Sequence, residues 1–305
     1  MPLNNRVRIT VPASTANLGP GFDSMGLALD LYLTLEAERS DCWEFFTDDV
    51  ELKELPTNDQ HFIAQIALKT AKKFGKELAP CRVKMNSEIP LARGLGSSAS
   101  AIVAGIELAD TFAHLGLTKQ EKLLLATDIE GHPDNVGASL YGGLVIGCYD
   151  SKDVEVLSFT DLPFETIAVI PKEVLLTKDA REVLPDVFSR NDAVQASATA
   201  NLLVASLLSR NWGMAGKMME RDLFHQPYRK PLIPLYLKIE QFAKGNGAFG
   251  VALSGAGPTV LCFTEKGQGQ SLSGLLQSVF SETTVKLLNI DYLGSRVQEV
   301  EKTVK

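Results

Sequence analysis

Apolar and polar side chains alternate at the start of the chain, with Val7, Ile9 and Val11 interleaved among Arg6, Arg8 and Thr10. A period of two predicts a half-buried strand. A second strand is predicted where Leu27, Leu29, Leu31, Leu33 and Leu35 face one way and Ala28, Asp30, Tyr32, Thr34 and Glu36 the other. Between them Pro12 to Gly26 is rich in turn formers and reads as a loop. The pattern then becomes helical. Phe62, Ile63, Ile66, Ala67, Ala71 and Phe74 form one stripe, opening at Asn58 or Asp59 and closed by Gly75. Cys81, Val83 and Met85 alternate as a strand, and the apolar run Ala99 to Ala113 is long enough for a buried helix. Thr118 and Glu121 frame a capping box for the next helix, which ends at Glu130 and Gly131. His132-Pro-Asp-Asn135 then reads as a polar turn, and Leu144 to Cys148 as a strand.

The second half begins near Leu162, with a strand over Ile167 to Ile170. Helices are predicted from Asn191 or Asp192 to about Ser209, from Met214 to Arg221, and from about Leu235 to Lys244. Gly250 to Phe263 reads as two strands joined by a Gly-rich turn, and a helix (about Gln270 to Phe280) and a strand (Val285 to Ile290) close the chain. This order predicts an α+β fold, with helices on one face of an antiparallel sheet. The division expected is 1–161 and 162–305. No internal repeat or low-complexity segment interrupts it.

Composition narrows the picture. A length of 305 residues fits roughly two domains, and 45% hydrophobic with 22% charged residues is ordinary for a globular protein. A net charge of −7 argues against nucleic acid, whose binding needs a basic surface. Cys42, Cys81, Cys148 and Cys262 lie far apart, which fits neither a zinc site nor a disulfide framework. The N-terminal stretch has no apolar core of a signal peptide and no apolar run reaches ~18 residues, so a cytoplasmic protein off the membrane is expected.

The chemistry concentrates at Pro90-Leu-Ala-Arg-Gly-Leu-Gly-Ser-Ser-Ala-Ser-Ala101, between a strand and a helix. Gly94 and Gly96 let the backbone approach a ligand closely. Ser97 and Ser98 sit where the first helical amides lack partners and the dipole is positive, which is an anion site. The plain alternative is a helix start capped by Ser98. No Lys follows Gly96, so a Walker loop is excluded. The match to a dinucleotide fingerprint, Gly245-Asn-Gly-Ala-Phe-Gly250, follows a helix and precedes a strand, the reverse of what that motif requires. Asn17 and Asp23 are polar side chains on a constrained loop that turn-forming alone leaves unexplained. Glu130 faces the negative end of its helix dipole, a cost of ~0.3–1 kcal/mol that a nearby cation would reverse.

Pro90-Leu-Ala-Arg-Gly-Leu-Gly-Ser-Ser-Ala resembles, without departure, the phosphate loop of the GHMP kinases, the family that includes galactokinase and mevalonate kinase. Pro12 to Gly26 and Leu253-Ser-Gly-Ala-Gly-Pro258 resemble the family's first and third motifs, so the likeness spans essentially the whole chain. The implied fold is α+β and two-domain. A mixed α/β nucleotide-binding domain like domain 2 of ribosomal protein S5 comes first, then a ferredoxin-like α+β domain. Glu130-Gly-His-Pro-Asp-Asn135, Thr177 to Pro185 and His225-Gln-Pro-Tyr-Arg229 are most similar to the branch whose acceptor is L-homoserine. In some members of that branch the Glu and the His are further apart than the single Gly131 here.

The resemblance implies transfer of the ATP γ-phosphate to the hydroxyl of L-homoserine. Pro90, Leu91, Ala92, Arg93, Gly94, Leu95, Gly96, Ser97, Ser98, Ala99 and Ser100 would hold ATP, with Arg93 adding positive charge nearby. Ser98 and Glu130 would hold Mg²⁺, a hard ion that takes oxygen ligands. Arg181 and Arg229 suit the substrate carboxylate because guanidinium binds it in a bidentate way. Asp23 suits the ammonium, with Asn17 and His132 as neutral partners, and Thr177 lines the pocket. Asn135 cannot take a proton and would position the hydroxyl, while Asp134 is the alternative as direct base. Without such a base, the proton passes to the phosphate. Two other readings are a mevalonate-type or sugar kinase, with no use for Arg181 and Arg229, and a non-catalytic ligand sensor. Family members are often dimers, and a homodimer is expected.

Overall fold

The computed structural model describes residues 6–300. The first half runs β1 (Arg6–Asn17), β2 (Gly21–Arg39), β3 (Glu44–Phe46), α1 (Phe62–Lys73), β4 (Cys81–Ser87), α2 (Ser97–Ala113), α3 (Lys119–Glu130), α4 (Pro133–Tyr141), β5 (Leu144–Tyr149) and β6 (Val154–Phe159). The second runs β7 (Phe164–Ile170), α5 (Thr177–Glu182), α6 (Arg190–Leu208), α7 (Trp212–Met219), α8 (Gln226–Arg229), α9 (Tyr236–Gly245), β8 (Gly250–Leu253), β9 (Val260–Glu265), α10 (Gly269–Val279), β10 (Thr284–Leu288) and β11 (Arg296–Val300). Among the described residues no helix is long and apolar enough to cross a membrane.

The first sheet is organised by β2, whose alternating leucines are buried as the pattern predicts. β2 pairs antiparallel with β1 on one side; on the other, β4 takes Leu33–Arg39 and β5 takes Met25–Leu27. The stretch expected to be a loop is for the most part strand. β1 continues to Asn17 and β2 restarts at Gly21, with register shifts between Pro12 and Ala13 and between Ala16 and Asn17. Its Gly and Pro thus mark bulges and a tight hairpin tip. β3, β6 and β11 were also not expected. β11 is a largely exposed edge strand, rich in polar residues, and it carries the end of the second half back to β1 in the first sheet.

The second sheet, β10-β7-β9-β8, is antiparallel. β7 is apolar on both faces, and the core divides accordingly. Ala168, Ile170, Leu261 and Phe263 face the large core shared with the first sheet and with α6 and α7. Ile167, Val169, Val260 and Cys262 face a second cluster under α9 and α10. Both faces of this sheet are therefore covered, not one. The α+β class of the expectation stands, built on two sheets. The helices differ in detail: α1 opens later than expected, at Phe62 on a His61 cap, α6 opens earlier, on a Ser189 cap, and α4 occupies what reads as a turn. Every residue of α4 from Pro133 to Leu140 is buried, so it shows no polar face and no period to read.

Candidate active site

α2 begins at Ser97, and its cap is Gly96 in the left-handed conformation, with no side-chain capping bond. The plain alternative, a Ser98 cap, is therefore absent. Ser98 lies inside the first turn, which leaves its hydroxyl to donate to Glu130 Oε2 at 3.2 Å. The amides of Ser97 and Ser98 have no intrahelical acceptor. Gly94 and Gly96 hold φ of +76° and +73°. A Cβ on Gly96 would lie 2.2 Å from Ser14 Oγ, and one on Gly94 would lie 2.3 Å from the Ser254 carbonyl oxygen. Both glycines are thus required by conformation and by space.

Those two contacts join the three motifs. Ser254 Oγ donates to Gly94 O at 2.5 Å and accepts from the Thr15 hydroxyl at 2.9 Å. The Gly255 amide donates to Ala16 O at 3.2 Å, and Asn17 Nδ2 donates to Gly255 O at 3.3 Å. Around them opens a cleft. It is lined by Asn17, Asp23, Ser98, Glu130, His132, Asp134, Asn135, Thr177, Arg181 and Arg229, together with Ala92, Gly94, Gly96 and Ser97. The structure thus brings every expected substrate, metal and catalytic residue into one space. Pro90, Leu91, Arg93, Leu95, Ala99 and Ser100 of the loop lie outside it.

Arg93 does not face the cleft. Its guanidinium donates to the carbonyls of Leu91 (2.7 Å), Pro171 (3.2 Å) and Lys172 (2.9 Å), so it ties the loop to the end of β7. Arg229 is buried at 2% exposure. Nε donates to Ala180 O at 2.9 Å and Nη1 to Gly255 O at 3.1 Å. Among the described residues Nη2 has no partner, which leaves one donor arm for a ligand. Burial, then the neighbouring Arg181, lower its pKa to about 10, so it stays cationic at neutral pH. His225 holds it in place. Burial brings that imidazole to about 4, and the neutral ring contacts Gly19 O through Nε2 at 2.9 Å and Arg229 Nη1 through Nδ1 at 3.4 Å. Phe22 stacks on His225, and both Arg181 and Arg229 lie over the Phe22 ring.

Opposite them is an acidic group. His132 Nδ1 and Asp134 Oδ1 are 2.5 Å apart, and Asp134 Oδ1 also accepts from the Asn135 amide at 2.6 Å. Burial disfavours the imidazolium, but the Asp134 hydrogen bond and the charges of Asp134, Asp23 and Glu130 outweigh it, so the His132 pKa is raised. His132 thus holds a proton more firmly than a free imidazole does. Burial raises the Glu130 pKa, with His132, Ser98 and Arg181 acting against it. Asn135 Nδ2 donates to Ser14 O and Oγ, which fixes the side chain against β1. Asp23, His132 and Asp134 lie close enough to share a cation, but Asp23 bonds Arg181 and Asp134 bonds the imidazole. Ser98 and Glu130 are the better fit to a hard cation, as two oxygen donors already in contact.

One part of the site gave no sign in the sequence. Ser97 and Ser98 also line a second, largely apolar pocket with Leu33, Leu55, Phe62 and Met85. Its lining residues are ordinary core types, so nothing separates them from packing positions. The exception is His61, 3% exposed and stacked on Phe45 at 3.9 Å. Its Nδ1 accepts the Ile63 amide and burial brings its pKa to about 4, so Nε2 carries the proton of a neutral ring. That buried N–H has no partner among the described residues.

A phosphate loop with an apolar pocket on one side and a charged cleft on the other defines an ATP-dependent phosphotransferase of small molecules. Residues 61–143 match the GHMP kinases N terminal domain, and residues 203–280 match the GHMP kinases C terminal domain. The chain belongs to the GHMP kinase family, whose members use ATP as phosphate donor. It is 51% identical to a homoserine kinase of Bacillus licheniformis over 95% of each chain. A solved Listeria monocytogenes protein assigned as a homoserine kinase is 41% identical, covering 96% of this chain and 99% of that one, with a TM-score of 0.83. The homoserine kinase of Cytophaga hutchinsonii, 24% identical, shares the fold over 98% of this chain and 99% of its own, at a TM-score of 0.85.

Proposed function

We propose that this chain phosphorylates the side-chain hydroxyl of L-homoserine, giving O-phospho-L-homoserine and ADP. The observation that carries the reading is the convergence of Arg181, Arg229 and Asp23 on one cleft beneath the phosphate loop. An amino acid needs groups for a carboxylate and an ammonium at once, and an uncharged alcohol needs neither. The relatives' names point the same way.

The apolar pocket beside Ser97 takes the adenine, with His61 Nε2–H as a donor to a ring nitrogen. The loop amides take the phosphates. Ser98 and Glu130 would hold Mg²⁺, which when bound neutralises phosphate charge and so favours transfer. Arg229 Nη2 and Arg181 hold the substrate carboxylate, and Asp23 with Asn17 holds the ammonium. Asn135, fixed by Ser14, directs the hydroxyl towards the γ-phosphate. The new P–O bond forms as the bond to ADP breaks. The hydroxyl proton passes to a phosphoryl oxygen, and Asp134, whose Oδ1 is engaged by His132 and the Asn135 backbone amide, holds that imidazole in place.

The test is ADP release with Mg·ATP against L-homoserine, L-threonine, L-serine, mevalonate and galactose. Fast turnover on L-homoserine alone is expected. Turnover on mevalonate or galactose would overturn the acceptor assignments, and ATP binding with no turnover on any alcohol would favour a sensor.

A further inference from the structure

We propose that the Asp23–Arg181 ion pair is a filter that admits zwitterions and rejects ligands carrying only one of the two charges. The inference rests on the amino-acid reading of the cleft. The two groups assigned to opposite ends of the substrate bind each other: Arg181 Nη2 donates to Asp23 Oδ1 at 2.8 Å and Nη1 donates to Oδ2 at 3.2 Å. Each spends its bidentate edge on the other, and neither offers that edge to a ligand until the pair opens.

The pair is placed to open. Its side chains are 40% and 34% exposed, and half-exposed pairs are weak. Its two ends sit on different elements, Asp23 on the hairpin tip at the start of β2 and Arg181 on α5. Asp23 itself is held in place, with φ at +52° and its amide donating to Asn17 Oδ1 at 3.0 Å. Arg229 cannot take over the two-armed role of Arg181, since Nε and Nη1 are taken by the carbonyls of Ala180 and Gly255 and only Nη2 is left for a ligand.

Exchange then decides which ligands bind. A carboxylate that draws Arg181 away leaves Asp23 unpaired in a cleft also lined by Glu130 and Asp134. An ammonium that draws Asp23 away leaves Arg181 unpaired beside Arg229. A zwitterion supplies a new partner to both, so its two charges bind cooperatively. A site whose polar groups are left unpaired by the wrong ligand discriminates strongly against it.

The experiment measures dissociation constants by ligand-observed NMR for L-homoserine, 4-hydroxybutanoate (no ammonium) and 3-aminopropan-1-ol (no carboxylate). The proteins are the wild type, Asp23→Asn, Arg181→Met and the double variant, each checked for folding by circular dichroism. Asp23→Asn is expected to weaken L-homoserine yet tighten 4-hydroxybutanoate about tenfold, equal to about 1.4 kcal/mol. Arg181→Met is expected to tighten 3-aminopropan-1-ol in the same way. Both gains vanish in the double variant if they come from release of the partner. A gain in 4-hydroxybutanoate binding that persists without Arg181 would mean only that a repelling charge was removed, and would overturn the filter. So would no gain in either single variant. If wild type turns over L-homoserine and these gains fail, the filter alone falls. If wild type ignores L-homoserine, the acceptor reading falls and takes the filter with it.

Discussion

Gly94→Ala separates the conformational demand on the phosphate loop from the demand for space. At φ +76° an alanine costs roughly 1–2 kcal/mol. Its Cβ would also lie 2.3 Å from the Ser254 carbonyl oxygen and 2.8 Å from that of Gly257. Both are backbone atoms and cannot rotate aside. Ordinary contact begins at 3.4 Å, so the loop or the third motif must move by about 1 Å. A displacement of that size at a reacting centre costs about 10²-fold in rate. Gly75→Ala supplies the control. It stands at φ +67° just beyond α1, and its added Cβ would meet nothing within 4 Å. It should lower Tm by about 2 °C for each kcal/mol of strain and leave turnover alone. The assay is kcat/KM for ATP in coupled ADP release, beside thermal melts of both variants. About 100-fold loss is expected for Gly94→Ala only. Gly94→Ala within threefold of wild type would refute the packing argument, as would an equal loss in Gly75→Ala.

Arg229→Lys keeps the charge but presents it from a single nitrogen, losing the fork that reaches the Ala180 and Gly255 carbonyls through separate nitrogens. The expected result is a KM for L-homoserine raised about 30-fold with a smaller change in kcat, and an unchanged KM would remove Arg229 from the carboxylate site. His61→Phe keeps the stack on Phe45 while deleting the Nε2 donor and the Nδ1 cap of α1. It should cost about 1 kcal/mol of stability and raise KM for ATP about tenfold, leaving KM for L-homoserine as it was, as steady-state kinetics and melts would show. Asp134→Asn tests the raised His132 pKa. The wild-type ring should titrate above 6.5 by NMR, and the variant's lower. A raised histidine pKa adds stability below the unfolded value and loses it as pH rises through the folded one. The Tm advantage of wild type over Asp134→Asn should therefore be larger at pH 6 than at pH 8, and a pH-independent gap would contradict the assignment.

What could be read from the chain depended on whether a residue's partner lies near it in sequence. The β2 leucines announce their strand because one face meets the core, and the Thr118–Glu121 box announces α3 because its partners are three residues apart. The phosphate loop is legible for the same reason, since a helix start and its glycines form one short segment. The fourth helix is not, because burial on all sides erases its period, and neither is the edge strand β11, whose pairing with β1 lies at the far end of the chain. Arg93 and Asp23 show the limit most clearly. Residue type alone assigned each a ligand charge to meet. Arg93 is instead held by the Pro171 and Lys172 carbonyls, and Asp23 by an arginine 158 positions away. Charge in the sequence says what a side chain could bind. Tertiary structure decides which partner reaches it first, and in this cleft that competition is itself the means of choosing a substrate.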